Sequence, residues 1–104
     1  MKFEWDDNKC RANVRKHGID FVDAVAIFEG ETVVILDDRF DYGEARTIAF
    51  GLLKGKAIKV IVVAYTERGD RIRIISARKA LKHEESFYFE QITDGLETPR
   101  NDDR

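Results

Sequence analysis

The stretch VIVVAYTERGDRIRIISARKALK, Val60 to Lys82, decides the fold. Its opening run, Val60 to Tyr65, is apolar at odd and even positions alike, as expected of a strand covered on both faces and so central in a sheet. Glu67-Arg68-Gly69-Asp70 reads as a hairpin turn built around Gly69, since glycine supplies the positive φ that tight turns need. Arg71 to Ala77 then begins as an alternation of cationic and apolar residues, the period of a strand. A helix is expected from Lys79 to about Thr93.

The rest of the chain extends this plan. Arg46 to Leu53 reads as a strand joined through Leu53-Lys54-Gly55-Lys56 to the apolar strand Ile58 to Thr66. Before it, Thr32 to Leu36 is a β-branched strand, followed by the acidic loop DDRFDYGE, Asp37 to Glu44. At the N-terminus, Phe3 to Trp5 is a short strand. Asp6 or Asp7 caps a helix that runs to His17, and Gly18 stands where a left-handed C′ residue is wanted. Asp20 caps a second helix whose Phe21, Val25 and Phe28 share one face, and Gly30 ends it. The order is strand, two helices, an antiparallel meander, then a helix. That is an α+β architecture, with an antiparallel sheet, two N-terminal helices on one face and a C-terminal helix. Residues 1–94 are expected to form a single domain, with 95–104, containing Pro99 and a charged end, as a flexible tail.

The 104 residues carry a net charge of −2, with 37% charged and 43% hydrophobic side chains. A packed core is expected and wholesale disorder is not. One cysteine and two histidines leave no disulfide framework and no Cys-rich zinc site, so no metal or other cofactor is expected. The N-terminus MKFEWDDNK lacks the apolar core of a secretory signal, and the longest apolar run is too short to cross a bilayer. A cytoplasmic location and no membrane contact follow by default. A pI near 5.7 argues against a generic nucleic-acid coat protein, but leaves room for a local basic patch.

Such a patch is visible. Arg71 to Lys82 holds three arginines and two lysines with no acid. Strand alternation puts Ile72, Ile74 and Ser76 on one face with Arg78, and Arg71 and Arg73 on the other with Ile75 and Ala77. The isoleucine face is expected to meet the N-terminal helices, leaving the other as an open surface of guanidinium groups. Guanidinium forks grip phosphates and nearby rings stack on bases, so this surface suits a single-stranded polyanion. The same arginines also suit cross-strand pairing with acids, or the blunting of an edge strand. A second acid-free run, KCRANVRKHG from Lys9 to Gly18, adds Lys9, Arg11, Arg15 and Lys16, whereas Asp37, Asp38, Asp41 and Glu44 gather in one loop. Along the chain, charge is segregated, as expected of a protein with an anionic ligand on one side.

Polar residues interrupt two helical stripes. Cys10, Asn13, Val14 and His17 follow helical spacing, so Asn13 and His17 are expected to point toward the core or its rim. Asn13 suits a buried amide that fixes a neighbouring loop. On the last helix, Leu81, Glu85, Tyr88 and Ile92 make one stripe, with Glu84 one turn before Tyr88. Glu84 suits either a general base or a salt bridge to Lys79 or Arg78. Phe87, Tyr88 and Phe89 are consecutive and cannot all face one core, so at least one is expected to be exposed or covered by a partner.

Together these pieces resemble the BrnT family, the toxin half of a bacterial type II toxin–antitoxin pair, whose fold is similar to RelE-type mRNA interferases. The matching stretches are FEWDDNK (Phe3 to Lys9), NVRKHGIDF (Asn13 to Phe21), DYGEAR (Asp41 to Arg46), YTERGDRIRIISARKA (Tyr65 to Ala80), and Glu84 with Tyr88. The resemblance implies a metal-independent endoribonuclease in which a ribose 2′-OH attacks the adjacent phosphate. It implies Arg46, Arg68, Arg73 and Arg78 as phosphate contacts, with Arg73, Arg78 and Glu84 catalytic and Glu84 the proton acceptor; Lys79 and Lys82, which continue the basic patch, are further expected RNA contacts. It also implies a partner, a BrnA-like ribbon–helix–helix antitoxin, which by charge complementarity and aromatic burial is expected to cover part of the basic surface together with the exposed aromatics among Phe87, Tyr88 and Phe89. With it the chain would co-repress its operon, touching operator DNA only through the antitoxin. Two other readings use the same arginines: a non-catalytic interaction protein acting only in the antitoxin complex, and a plain RNA-binding module.

Overall fold

A computed structural model describes residues 2–38 and 43–97. Five strands form one sheet in the order β1-β5-β4-β3-β2, with β1 Lys2–Glu4, β2 Val33–Asp37, β3 Arg46–Lys54, β4 Ile58–Arg68 and β5 Arg71–Lys79. The apolar β4 is the central strand, as its two-faced hydrophobicity requires. The meander from β2 to β5 is antiparallel. The sheet as a whole is mixed, however, because β1 pairs with β5 in parallel, Phe3 opposite Ile72. A strand before two helices can return to the sheet in either direction, and nothing in three residues of sequence fixes which.

The turns are built from the residues that demand them. Asp6 caps α1, Asp7–His17, by accepting from the Lys9 amide at 3.0 Å, and Asp20 caps α2, Phe21–Ala24, by accepting from the Val22 amide at 2.9 Å. The second helix is brief, continuing as a 3-10 turn from Val25 to Glu29. Gly69 sits at φ 63° in the β4–β5 hairpin, a conformation that costs a side chain with a Cβ dearly. Helix α3 spans Lys82–Glu97, beginning three residues later than the sequence suggests because β5 extends to Lys79. It ends beyond residue 94, and Pro99 and the expected tail from 98 onward lie outside the described residues, as do Asp41 and Tyr42.

Two cores lie on opposite faces of the sheet. On one, Ile19, Phe21, Ala24 and Ile27 of the N-terminal helical layer cover Ala49, Ile61, Val63, Tyr65, Ile72, Ile74 and Ala77. Each large side chain fully buried there stabilises the fold by roughly 1.5–3 kcal/mol. Gly51 lets the 3-10 turn come close, since a Cβ at that position would lie 2.7 Å from Ile27 Cβ. On the other face, Tyr88, Phe87 and Ile92 of α3 cover Phe50, Val60 and Val62. Helix α3 covers only part of this second face.

Asn13 joins the first helix to the sheet. Its Nδ2 donates to the carbonyls of Ile19 and Ala77, both at 2.8 Å, and its Oδ1 accepts from the Ala77 amide at 3.1 Å. Strand β1 reaches only as far as Arg73 along β5. The Asn13 amide therefore takes the place of a neighbouring strand at Ala77, bonding both its backbone groups. His17, by contrast, is exposed rather than directed at the core, and Val14 on the same turn is 41% exposed, so the buried part of the helix ends at Asn13.

Candidate active site

The register of β4 and β5 shifts in a β-bulge. Ala64 faces Ser76 but Tyr65 faces Ile74, so Ile75 has no residue opposite it. The bulge inverts the alternation of β5 at that point. Ile72, Ile74 and Ala77 all join the core under the N-terminal helices. Arg78, expected beside Ile72 and Ile74, stands instead on the other face opposite Val62, sharing that face with Arg71 and Arg73. An unbroken two-residue period cannot reveal such a bulge, and the consecutive Ile74-Ile75 is the only trace it leaves in the sequence.

The arginine face thus gains a member, and it is not bare. Glu4 on β1 accepts from Arg71 Nη1 at 3.2 Å and from Arg73 Nη1 at 3.1 Å. These two guanidinium groups hold the Glu4 carboxyl below its ordinary range. Arg68 donates to Glu44 at 3.3 Å. Arg46 stands opposite Asp37 across β2 and β3, and Asp37 is buried in β2 rather than lying in the acidic loop. The charge segregated along the chain is therefore interleaved in space, as the cross-strand pairing alternative anticipates.

The tightest pair is Arg78 with Glu84. Arg78 Nη1 and Nη2 each meet one carboxylate oxygen at 2.8 Å, a bidentate fork. Glu84 Oε1 also accepts from the Leu81 amide at 2.8 Å, so the carboxylate caps the first turn of α3 while it holds the arginine. The Arg78 guanidinium, with that amide, lowers the Glu84 carboxyl to about 2. A carboxylate so stabilised stays ionised and is a weak base. Beside the pair runs an open groove of about 300 Å³, whose walls include Ile35, Leu36, Asp37, Ile48 and Phe50.

The remaining candidate residues scatter. Arg73 pairs with Thr66 and Arg78 with Val62, four residues apart on β4, so the two arginines lie ~13 Å apart along the strands. Arg46, Arg68 and Arg73 stand toward one end of the face and the Arg78–Glu84 pair toward the other. Lys79, opposite Ile61, falls on the helical face, away from Arg78. Lys82 is exposed at the start of α3. Of the three aromatics, Tyr88 is 1% exposed and packs in its own core, with its hydroxyl donating to the Glu31 carbonyl at 2.8 Å. Phe87 packs edge-on against Phe50, and only Phe89, 46% exposed, presents a ring to solvent.

Two features of exposure are not legible in the sequence. Val34, Ile35 and Leu36 of the edge strand β2 are 50%, 41% and 64% exposed, a row of apolar side chains that periodicity alone assigns half to a core. Conversely, Thr66 is buried, with its hydroxyl donating to the Ala45 carbonyl at 2.7 Å. Among the described residues no three His, Cys, Asp or Glu side chains gather closely enough to hold a metal ion, and no helix is long and apolar enough to cross a membrane.

Residues 5–84 match the family described as the ribonuclease toxin BrnT of type II toxin–antitoxin systems. The fold is similar to the crystal structure of the Brucella abortus ribonuclease toxin BrnT, with a TM-score of 0.63 and 30% sequence identity over 79% of this chain and 99% of that one. No protein of curated function matches the chain. The family match covers both N-terminal helical segments, the whole meander and the Arg78–Glu84 pair, and on that ground the chain belongs to the BrnT family of type II toxin–antitoxin ribonuclease toxins.

Proposed function

We propose that this toxin cleaves RNA without a metal ion, by attack of a ribose 2′-OH on the adjacent phosphate beside Arg78, which breaks the bond to the 5′-oxygen of the next nucleotide, leaves a 2′,3′-cyclic phosphate and lets the departing 5′-oxygen take a proton from water. The observation that carries this reading is the bidentate Arg78–Glu84 pair on the rim of an open groove. In-line attack builds negative charge on the phosphoryl oxygens, and a guanidinium already fixed in place stabilises that charge without reorganising. Glu84 acts here as a positioning residue, since its carboxyl near 2 suits a permanent anion rather than a proton acceptor. Asp38, exposed beside the same groove, is the carboxylate that takes the 2′-OH proton. Arg73, Arg46 and Arg68 guide the flanking strand across the face.

The partner of such a toxin is an antitoxin, and we assign it the ribbon–helix–helix class, which reads operator DNA while this chain stays off the duplex. Its contact surface is the exposed Phe89 ring with Leu81 and the adjacent groove, so that binding hides Arg78. Phe89→Ala is expected to weaken the antitoxin complex by about 2 kcal/mol in a titration, as loss of an aromatic anchor does. An unchanged affinity would move the interface elsewhere.

The deciding experiment is cleavage of RNA by wild type, Arg78→Ala and Glu84→Gln, with and without EDTA, each checked for folding by circular dichroism. Arg78→Ala is expected to slow cleavage by roughly 100-fold or more, Glu84→Gln by less, and EDTA not at all. Cleavage abolished by EDTA would reject the metal-free route, and full activity in both folded variants would reject this site. A wild-type chain that binds antitoxin tightly but cleaves nothing would establish the non-catalytic reading. The neutralisation of the sheet arginines by Glu4 and Glu44 is the observation that favours that second reading.

A further inference from the structure

The exposed face of α1 carries the positive charge that the sheet face does not keep. Lys9, Arg11, Arg15 and Lys16 all point to solvent, while Cys10 and Asn13 are the residues the helix buries. From Asn8 to Ile19 there is no acid in the chain. Among the described residues Lys9, Arg15 and Lys16 enter no ion pair, and Arg11 bonds only to the neutral Asn8 side chain.

This helix is also fixed beside the proposed cleavage site. The three hydrogen bonds of Asn13 hold it to Ile19 and to Ala77, the residue before Arg78. Past Arg73, among the described residues, the outer edge of β5 carries no strand. Lys79, the residue after Arg78, stands opposite Ile61 on the face that the N-terminal helices cover, so consecutive cations flank the end of β5, one on each face. We propose that α1 is a second anchoring site for the RNA backbone, taking phosphates of the strand that leaves the Arg78 groove round the free edge of β5. This rests on the reading of that groove as the cleavage site.

The geometry selects a flexible single strand. Arg78 and α1 lie on opposite faces of the sheet, so one ligand must turn a corner to reach both. Single-stranded RNA turns such a corner readily, whereas a duplex, with a persistence length of about 150 base pairs, bends over so short a distance only at a cost of several kcal/mol. The net charge of −2 does not prevent this, because at physiological salt charges beyond about 8 Å are largely screened.

The probe is a 2′-O-methyl oligonucleotide long enough to reach both surfaces, which lacks the attacking hydroxyl and so binds without being cut. Its affinity for the full chain is measured by fluorescence anisotropy across a range of salt. Lys9→Gln/Arg11→Gln/Arg15→Gln/Lys16→Gln is expected to bind about tenfold more weakly or worse, with the slope of log affinity against log salt reduced by about 0.7 for each phosphate no longer neutralised. Lys54→Gln/Lys56→Gln in the β3–β4 hairpin, which also removes positive charge, is expected to change affinity by less than about twofold if the effect is local. Cleavage of an unmodified dinucleotide, too short to leave the groove, stays at the wild-type rate in the α1 variant. Arg15 and Lys16 also favour the C-terminal end of the helix dipole. Should their loss unfold the chain, Lys9→Gln/Arg11→Gln alone must still lower the slope. Wild-type affinity and slope in the folded α1 variant would overturn this inference and leave the Arg78 reading intact. Loss of binding in that variant, with no dinucleotide cleavage even by wild type, would keep the α1 site and remove the ribonuclease reading. Tighter binding of duplex DNA than of the single strand would assign the helix to a duplex and overturn the inference too.

Discussion

The two acid-free basic runs of this chain, Lys9 to Gly18 and Arg71 to Lys82, carry cations at nearly the same density and differ sharply in their surroundings. The second becomes a strand, and a strand has neighbours on its own face. Glu4 arrives from β1 to meet Arg71 and Arg73, and Glu84 from the first turn of α3 to meet Arg78, so all three arginines of this run meet carboxylates. The first becomes a surface helix whose outer side faces solvent. The arginines of the strand are thus neutralised by one acid distant in sequence and one close by, while the cations of the exposed helix keep their charge. Positive charge along a sequence is a poor guide to positive potential in space.

The strongest way to break this comparison is to cut the joint between the two runs. Asn13 of the first bonds Ala77 of the second through both its amide groups. Asn13→Ala is expected to cost about 2–4 kcal/mol in urea unfolding, because it strands the buried backbone groups of Ala77 and the Ile19 carbonyl. A loss below about 0.5 kcal/mol would mean that water replaces the amide and that α1 is not rigidly held.

Acid probes the neutralised run. The Glu84 carboxyl lies near 2 in the folded chain against an ordinary value of 4.5. A depressed carboxyl contributes stability that is complete above the ordinary value and is lost as pH falls through the folded one. Stability is therefore expected to drop by ~1–2 kcal/mol between about pH 5 and pH 2 through this pair, a figure reduced from the full linkage because Arg78 is partly exposed. Arg78→Ala should flatten that part of the pH profile in thermal melts. An unaltered acid limb in the variant would show that other carboxylates govern it.

The smallest expected effect sharpens the contrast from the other side. Glu4→Gln removes the acid shared by Arg71 and Arg73. Single-stranded RNA should then bind a few-fold more tightly, about twofold to fivefold at low salt, with a steeper salt slope. No gain would indicate that those arginines lie outside the path of the RNA.

Much of the architecture could be read from residues whose effect is local. The caps Asp6 and Asp20, the turn glycine Gly69 and the two-faced apolar run of β4 determine structure through their own backbone and nearest neighbours, which is why the element order and the central strand were legible. Burial of Asn13 was legible for the same reason, since an amide among apolar helical positions must find partners. The exposure of one ring among Phe87, Tyr88 and Phe89 followed from helical spacing, though which ring did not.

By itself, then, the sequence determined the α+β plan, the cap Asp20, the turn at Gly69 and the two-faced central strand, all of which depend on interactions a few residues long. Tertiary structure alone decided that β1 joins the sheet in parallel, that the bulge at Ile75 brings Arg78 onto the face of Arg71 and Arg73, and that Glu4 and Glu44 neutralise arginines on that face. Each of these turns on strand register or on a contact across many residues. Register is set by the summed fit of whole faces, and a slip of one residue exchanges every side chain between core and solvent.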